Sequence, residues 1–159
     1  AITGKQIVNG ILLAATARAV LQVSLYGLCL LAFGAVTLAT LPILILVSST
    51  AGLGFAAIML GFAGTIKEDD GVFALVGRFI VTPMFMFSGT FYPITSMPIY
   101  LQWIGWISPQ WHATNLGRAM SYGMPIELWL ALLHWGVMLG MTLVGMIWAH
   151  RVFEKRLAS

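Results

Sequence analysis

The chain has little with which to do proton, metal or nucleophile chemistry. It holds three histidines, five carboxylates, eight basic residues and one cysteine. A metal centre needs several His, Cys, Asp or Glu ligands converging on one point. His112, His134 and His150 are far apart in sequence, and their expected depths differ, so no metal site is predicted. Intramembrane catalysis would need a nucleophile with a base, or paired carboxylates, inside helices. His134 is the one ionisable residue expected well inside a span; its plain reading is a ring bonded to a neighbouring helix, and the alternative is a place in a substrate path. No catalytic residue is assigned. Cys29 lies in an apolar stretch, cannot form an intrachain disulfide, and reads as a buried bystander. No Gly-x-x-x-x-Gly-Lys-Ser/Thr run is present, so no ATP or Mg site is expected here. Two polar groupings are left. One is the turn Lys67-Glu68-Asp69-Asp70, in which an aspartate can cap the next helix. The other is a stripe of Gln110, Thr114, Arg118 and Ser121, spaced by four, four and three, flanked by His112 and Asn115.

The elements that position these residues follow from composition. The chain is 60% hydrophobic and 8% charged, with mean hydropathy +0.95. Soluble domains carry about 25% charged residues, and a globule of this length could not hide so much apolar surface. The fold class is all-α integral membrane, because only helices or closed barrels satisfy the backbone in lipid and no period-two alternation is present. Four uncharged blocks can span: Ala19 to Thr40, Leu41 to Ile66, Phe79 to about Tyr92, and Leu128 to Ala149. Lys5 and Arg18 precede the first, Lys67 and Arg78 lie between the second and third, and Arg151, Lys155 and Arg156 follow the fourth. The positive-inside rule places all of these, and the C-terminus, in the cytoplasm, with Arg18 and Arg78 snorkelling from span ends. A net charge of +3 gives no case for nucleic acid.

The run from Phe79 to Gly117 has no Asp, Glu, Lys or Arg, yet Pro83, Pro93, Pro98 and Pro109 interrupt it. A spanning helix takes about 20 apolar residues. The third span should therefore end near Tyr92, and Pro93 and Pro98 cannot continue it. Ile99 to Ser108, with Tyr100, Trp103 and Trp106, is too short to cross and carries rings that favour the headgroup level. Pro109 opens another short segment. The expectation is four transmembrane helices, with two short external re-entrant or interfacial helices between the third and fourth. Arg118, the lone external cation, is expected to pair with Glu127, the external carboxylate, or with carbonyls of the external helices; an interfacial arginine meeting lipid phosphates is the competing reading. Small residues at Ser48, Gly52 and Ala56, and at Gly136 and Gly140, are expected to pack inside the bundle, with a subunit interface the alternative.

Ser88, Gly89, Phe91, Tyr92 and Pro93, followed by Pro98, Leu101 and Gln102, then Pro109, Ala113, Arg118, Ala119 and Gly123, resemble the C-terminal signature of ABC-2-type transporter permeases. Gly4-Lys5 and Gln22 are similar to residues that open and lie within the family's third span. The likeness extends over the chain, 1–159, as a single permease domain, with daunorubicin-resistance-type and nodulation-type permeases the nearest in pattern. A family permease has six spans, so the first two would be missing here. The resemblance implies a plasma (inner) membrane exporter subunit. It would work with a second permease half, identical or a sister, and with cytoplasmic nucleotide-binding ATPase subunits that hold ATP and Mg. It also implies that Lys67, Glu68, Asp69 and Asp70 face the ATPase. Tyr92, Pro93, Pro98, Trp103, Trp106, Pro109, His112, Asn115, Arg118 and Glu127 would form an external gate. The cargo would be amphipathic: drug, lipid or glycolipid-like. A non-transporting membrane scaffold is the alternative, and ATPase turnover that rises with the permease present separates the two.

Overall fold

A computed structural model describes residues 3–67 and 71–158, and these are helical throughout apart from turns and loops. Helix α1 runs Gly4–Ala32 and α2 runs Leu41–Thr65. Helix α3 covers Val72–Met86, α4 Ile99–Ile107, α5 Pro109–Tyr122 and α6 Leu128–Ala158. Three of them, α1, α2 and α6, are long and apolar enough to cross a membrane.

The first helix starts fifteen residues before the expected block. Thr3 and Gln6 form a reciprocal capping box, with Thr3 N–H donating to Gln6 Oε1 at 2.9 Å. Nothing then stops the helix at Arg18, because arginine is a good helix former. Arg18 is therefore embedded in α1 and does not precede a span. The helix ends at Ala32, short of Thr40, and Gly34 turns the chain at φ +70°. Pro42 sits in the first turn of α2, where its missing N–H has no partner to lose.

Helix α3 departs from expectation at both ends. It begins before Phe79 and ends at Met86, not near Tyr92. Arg78 lies inside it, in a π-helical turn over Gly77–Val81. The cause is Pro83, which has no N–H and whose ring pushes against the carbonyl four residues back. The wider turn relieves the clash, and the Thr82 hydroxyl donates to the Gly77 carbonyl at 2.9 Å. With fifteen residues α3 measures about 22 Å, short of the ~30 Å hydrocarbon core.

The bundle is held by close backbone approaches. Helix α2 packs most extensively on α6 and then on α1. A Cβ on Gly145 would stand 2.6 Å from the Ile58 nitrogen, and one on Gly61 would stand 2.8 Å from the Trp148 ring. Val8, Leu12, Ala57 and Ala149 form an apolar cluster where α1, α2 and α6 meet. Lys5 pairs with Glu154 at 3.4 Å, and His150 donates to Asn9 Oδ1 at 2.9 Å, so α1 and α6 run antiparallel. Lys5, Lys67, Arg151, Lys155 and Arg156 consequently gather at one end of the bundle. Gly136 and Gly140 do not pack inside, because a Cβ on either meets nothing within 4 Å. The internal small residues are instead Gly54, Gly61 and Gly64 on α2 and Gly145 on α6. Cys29 is exposed, not buried, since it lies on a face of α1 that no other helix covers.

Candidate functional site

After α3 the chain folds back on itself. The buried Ser88 hydroxyl donates to the Phe85 carbonyl at 2.7 Å and meets Thr90 Oγ1 at 2.6 Å. Gly89 takes φ +77°, and its Cα lies under Trp111, whose Cδ1 would be 3.3 Å from any Cβ there. Pro93 precedes a single 3-10 turn, Ile94–Ser96, and Pro98 caps α4. Gln102 Nε2 donates to the Met97 carbonyl at 2.9 Å. Gly105 lets α4 lie directly on the Phe87 carbonyl and the Ile94 side chain. The outer faces of Tyr100, Trp103 and Trp106 are exposed, as is part of Tyr92. Pro109 is the first residue of α5, and Gly123 at φ +68° ends it.

This hairpin sets α5 against α2 and opens a cleft of about 610 Å³ between α1, α2, α3 and α5. Most of the wall is apolar. The polar lining is Gln110, Thr114, Arg118 and Tyr122 from α5, Ser48 from α2, Thr90, and Tyr26 from α1. Three of the four stripe residues thus face one space. Ser121, the fourth, is buried in the protein. Arg118 donates to the Thr90 carbonyl at 3.1 Å, tying α5 to the turn after α3. It makes no ion pair with Glu127, whose carboxylate takes the Trp129 indole N–H instead. Lys67 is exposed just past α2, while Glu68, Asp69 and Asp70 lie outside the described residues.

The histidines do not behave as sequence distance suggests. His112 Nδ1 and His134 Nδ1 are 2.7 Å apart, so α5 and α6 meet through their rings at one depth. His112 Nε2 lies 2.8 Å from the Trp106 carbonyl. A carbonyl only accepts, so this nitrogen carries the proton. Burial pushes the His112 ring below its ordinary pKa, working against the Trp106 carbonyl, which favours protonation. In the neutral ring Nδ1 is then a lone pair, and His134 Nδ1–H must donate to it. Trp111 packs edge-on against both rings, with centroids 4.9 and 5.1 Å away. Two polar groups that would each be costly alone in an apolar surround satisfy each other. That shared need is the signal the sequence offered and spacing concealed. Asn115 Nδ2 donates to the Trp111 carbonyl at 2.9 Å and secures the same helix. No group of three metal-capable side chains forms among the described residues.

Apolar helices of spanning length, packed through glycines and topped by an irregular hairpin, define a multi-pass membrane protein. The ABC-2 type transporter family matches residues 3–122, about three quarters of the sequence, and the chain belongs to that family. It is the transmembrane component of an ABC transporter, a permease domain that works with an ABC ATPase subunit. No curated protein and no solved structure matches it.

Proposed function

We propose that the cleft between α1, α2, α3 and α5 is the path of an amphipathic cargo, exported when partner ATPases close on ATP. The observation that supports this reading is the lining: an apolar wall of about 610 Å³ with one polar stripe, Gln110, Thr114 and Arg118. An amphiphile needs both kinds of surface along its route. In this reading α1, α2, α3 and α6 are the four spans, with α3 completed by the turn beyond Met86. Helices α4 and α5 remain in the external leaflet, where irregular backbone is tolerated against protein or a wet cavity. Arg118, through Thr90, holds the hairpin over the exit. The basic end of the bundle is cytoplasmic, and residues 67–70 meet the ATPase there. A second permease half covers part of the exposed surface, and the whole sits in the plasma (inner) membrane.

The test is ATP-driven transport in proteoliposomes with the partner ATPase. Thr114→Trp, which fills the cleft, should abolish cargo movement while ATPase binding persists. Full transport by that variant would remove the cleft from the route. In the same assay, charge reversal at Glu68 and Asp69 together should cut permease-stimulated ATP hydrolysis. Unchanged stimulation would remove residues 67–70 from the ATPase contact; the N-cap of α3 is Gly71, not an aspartate.

A further inference from the structure

A second, smaller cavity lies on the other side of α5. It measures about 260 Å³ and is bounded by the 89–95 turn, α5, the 124–126 segment and the start of α6. That is below the roughly 300–1,000 Å³ of sites that hold a drug-sized molecule, so it takes a headgroup and not a whole amphiphile. Its polar lining includes Asn115, Arg118, Thr95 and His134. His134 is 0% exposed. The proton order of the histidine pair leaves its Nε2 as a lone pair, and this atom has no hydrogen-bond partner among the described residues. A buried acceptor without a donor costs about as much as a lost hydrogen bond. The lone pair calls for a donor from a guest.

The other groups narrow the guest further. Arg118 spends one N–H on Thr90 and keeps the rest of its fork, which suits a phosphate oxygen. Asn115 has its amide N–H on Trp111, so Oδ1 remains a second acceptor. The Arg118 charge disfavours an ammonium beside it, so the donor on the guest is a hydroxyl. We infer that this cavity is a binding site for a phosphate-linked hydroxyl headgroup, with the phosphate on Arg118 and the hydroxyl donating to His134 Nε2. The cavity meets the cleft at Arg118, which lines both, whereas His134, Asn115 and Thr95 line this cavity alone.

The intact transporter, permease with ATPase, is titrated in detergent with phosphatidylglycerol or phosphatidylethanol, and bound lipid is counted by native mass spectrometry. Both lipids are singly charged phosphodiesters, but only phosphatidylglycerol offers headgroup hydroxyls. Phosphatidylglycerol should bind about tenfold more tightly, the worth of one buried hydrogen bond. His134→Phe should erase that preference and leave phosphatidylethanol unchanged, whereas Arg118→Gln should weaken both. Glycerol 3-phosphate as competitor separates the sources. Displacement of the lipid means the site also draws the group from solution, and resistance means it draws from the bilayer; either keeps the chemistry. Equal binding of the two lipids, or a preference that survives His134→Phe, overturns the proposal and leaves the cavity to water. Should His134→Phe not fold, Ala119→Leu narrows the cavity without touching the histidine pair. A preference retained in that variant overturns the proposal equally.

Discussion

The contact of α2 with α6 and the hairpin between α3 and α6 join helices in opposite ways. Along α2 and α6 the joint is close packing at glycines: Gly54 and Gly145 meet the backbone of the other helix, and Gly61 and Gly64 receive the Trp148, Val152 and Phe153 side chains. In the hairpin, besides the close approach at Gly105, the joints are side chains reaching carbonyls: Ser88 to Phe85, Gln102 to Met97, His112 to Trp106, Arg118 to Thr90. The first kind of joint is stiff, since packed interiors resist even one added methylene. The second can be unmade one bond at a time, each at a modest net cost of about 1 kcal/mol. A permease needs both a frame that stays and a cover that moves, and the chain builds them from different bonds.

The contrast predicts a large effect at one glycine and none at another on the same helix. Gly145→Leu drives a side chain into the Ala57–Ile58 backbone and should cost about 3 kcal/mol or more, enough to lose folded protein. Gly140→Leu meets open space and should leave the unfolding midpoint of the isolated permease unchanged. Thermal unfolding in detergent checks both. Similar midpoints for the two variants would break the distinction.

A middle-sized effect is expected at the base of the hairpin. Gly89→Ala must hold an L-residue at φ +77° with a new methyl against Trp111. The left-handed conformation alone costs about 1–2 kcal/mol. Because this strain falls on the separable joint, the frame should still fold and keep its ATPase, while transport falls. Loss of assembly in Gly89→Ala would mean that hairpin and frame form one unit.

How much of this was written in the sequence differs between the two regions. Helices α2 and α6 were legible because hydropathy reports directly on burial in lipid. The prolines likewise announced where α4 and α5 begin. The histidine pair was not legible, because nothing in a spacing of twenty-two residues says that a ring N–H and a ring lone pair will meet across α5 and α6. Nor was the length of α1, because a single charge such as Arg18 does not bound a helix, and α1 runs through it. Pro83 was visible, but its answer, a π turn in place of a break, depends on whether neighbours allow the wider turn.

Arg18 gives the smallest expected effect and the sharpest question. A Cβ on Gly52 would lie 3.7 Å from the Ala19 Cβ, so Arg18 stands level with the middle of α2, far from either end. Its side chain is exposed on α1. An arginine against acyl chains at that depth costs about 2.5–3.5 kcal/mol even after snorkelling and local thinning. Such residues face protein or a water-filled space in assembled membrane proteins, and the uncovered face of α1 is then a wet or partnered surface. Arg18→Leu should therefore change the stability of the assembled transporter by no more than about 0.5 kcal/mol, the usual range for a solvated site. If the face met lipid, the same substitution would stabilise by most of the insertion cost. Arg18→Cys in a Cys29→Ser background adds a direct reading. A water-soluble thiol reagent should label it in the assembled transporter, and a thiol reached only by a membrane-dissolved reagent would return α1 to the lipid.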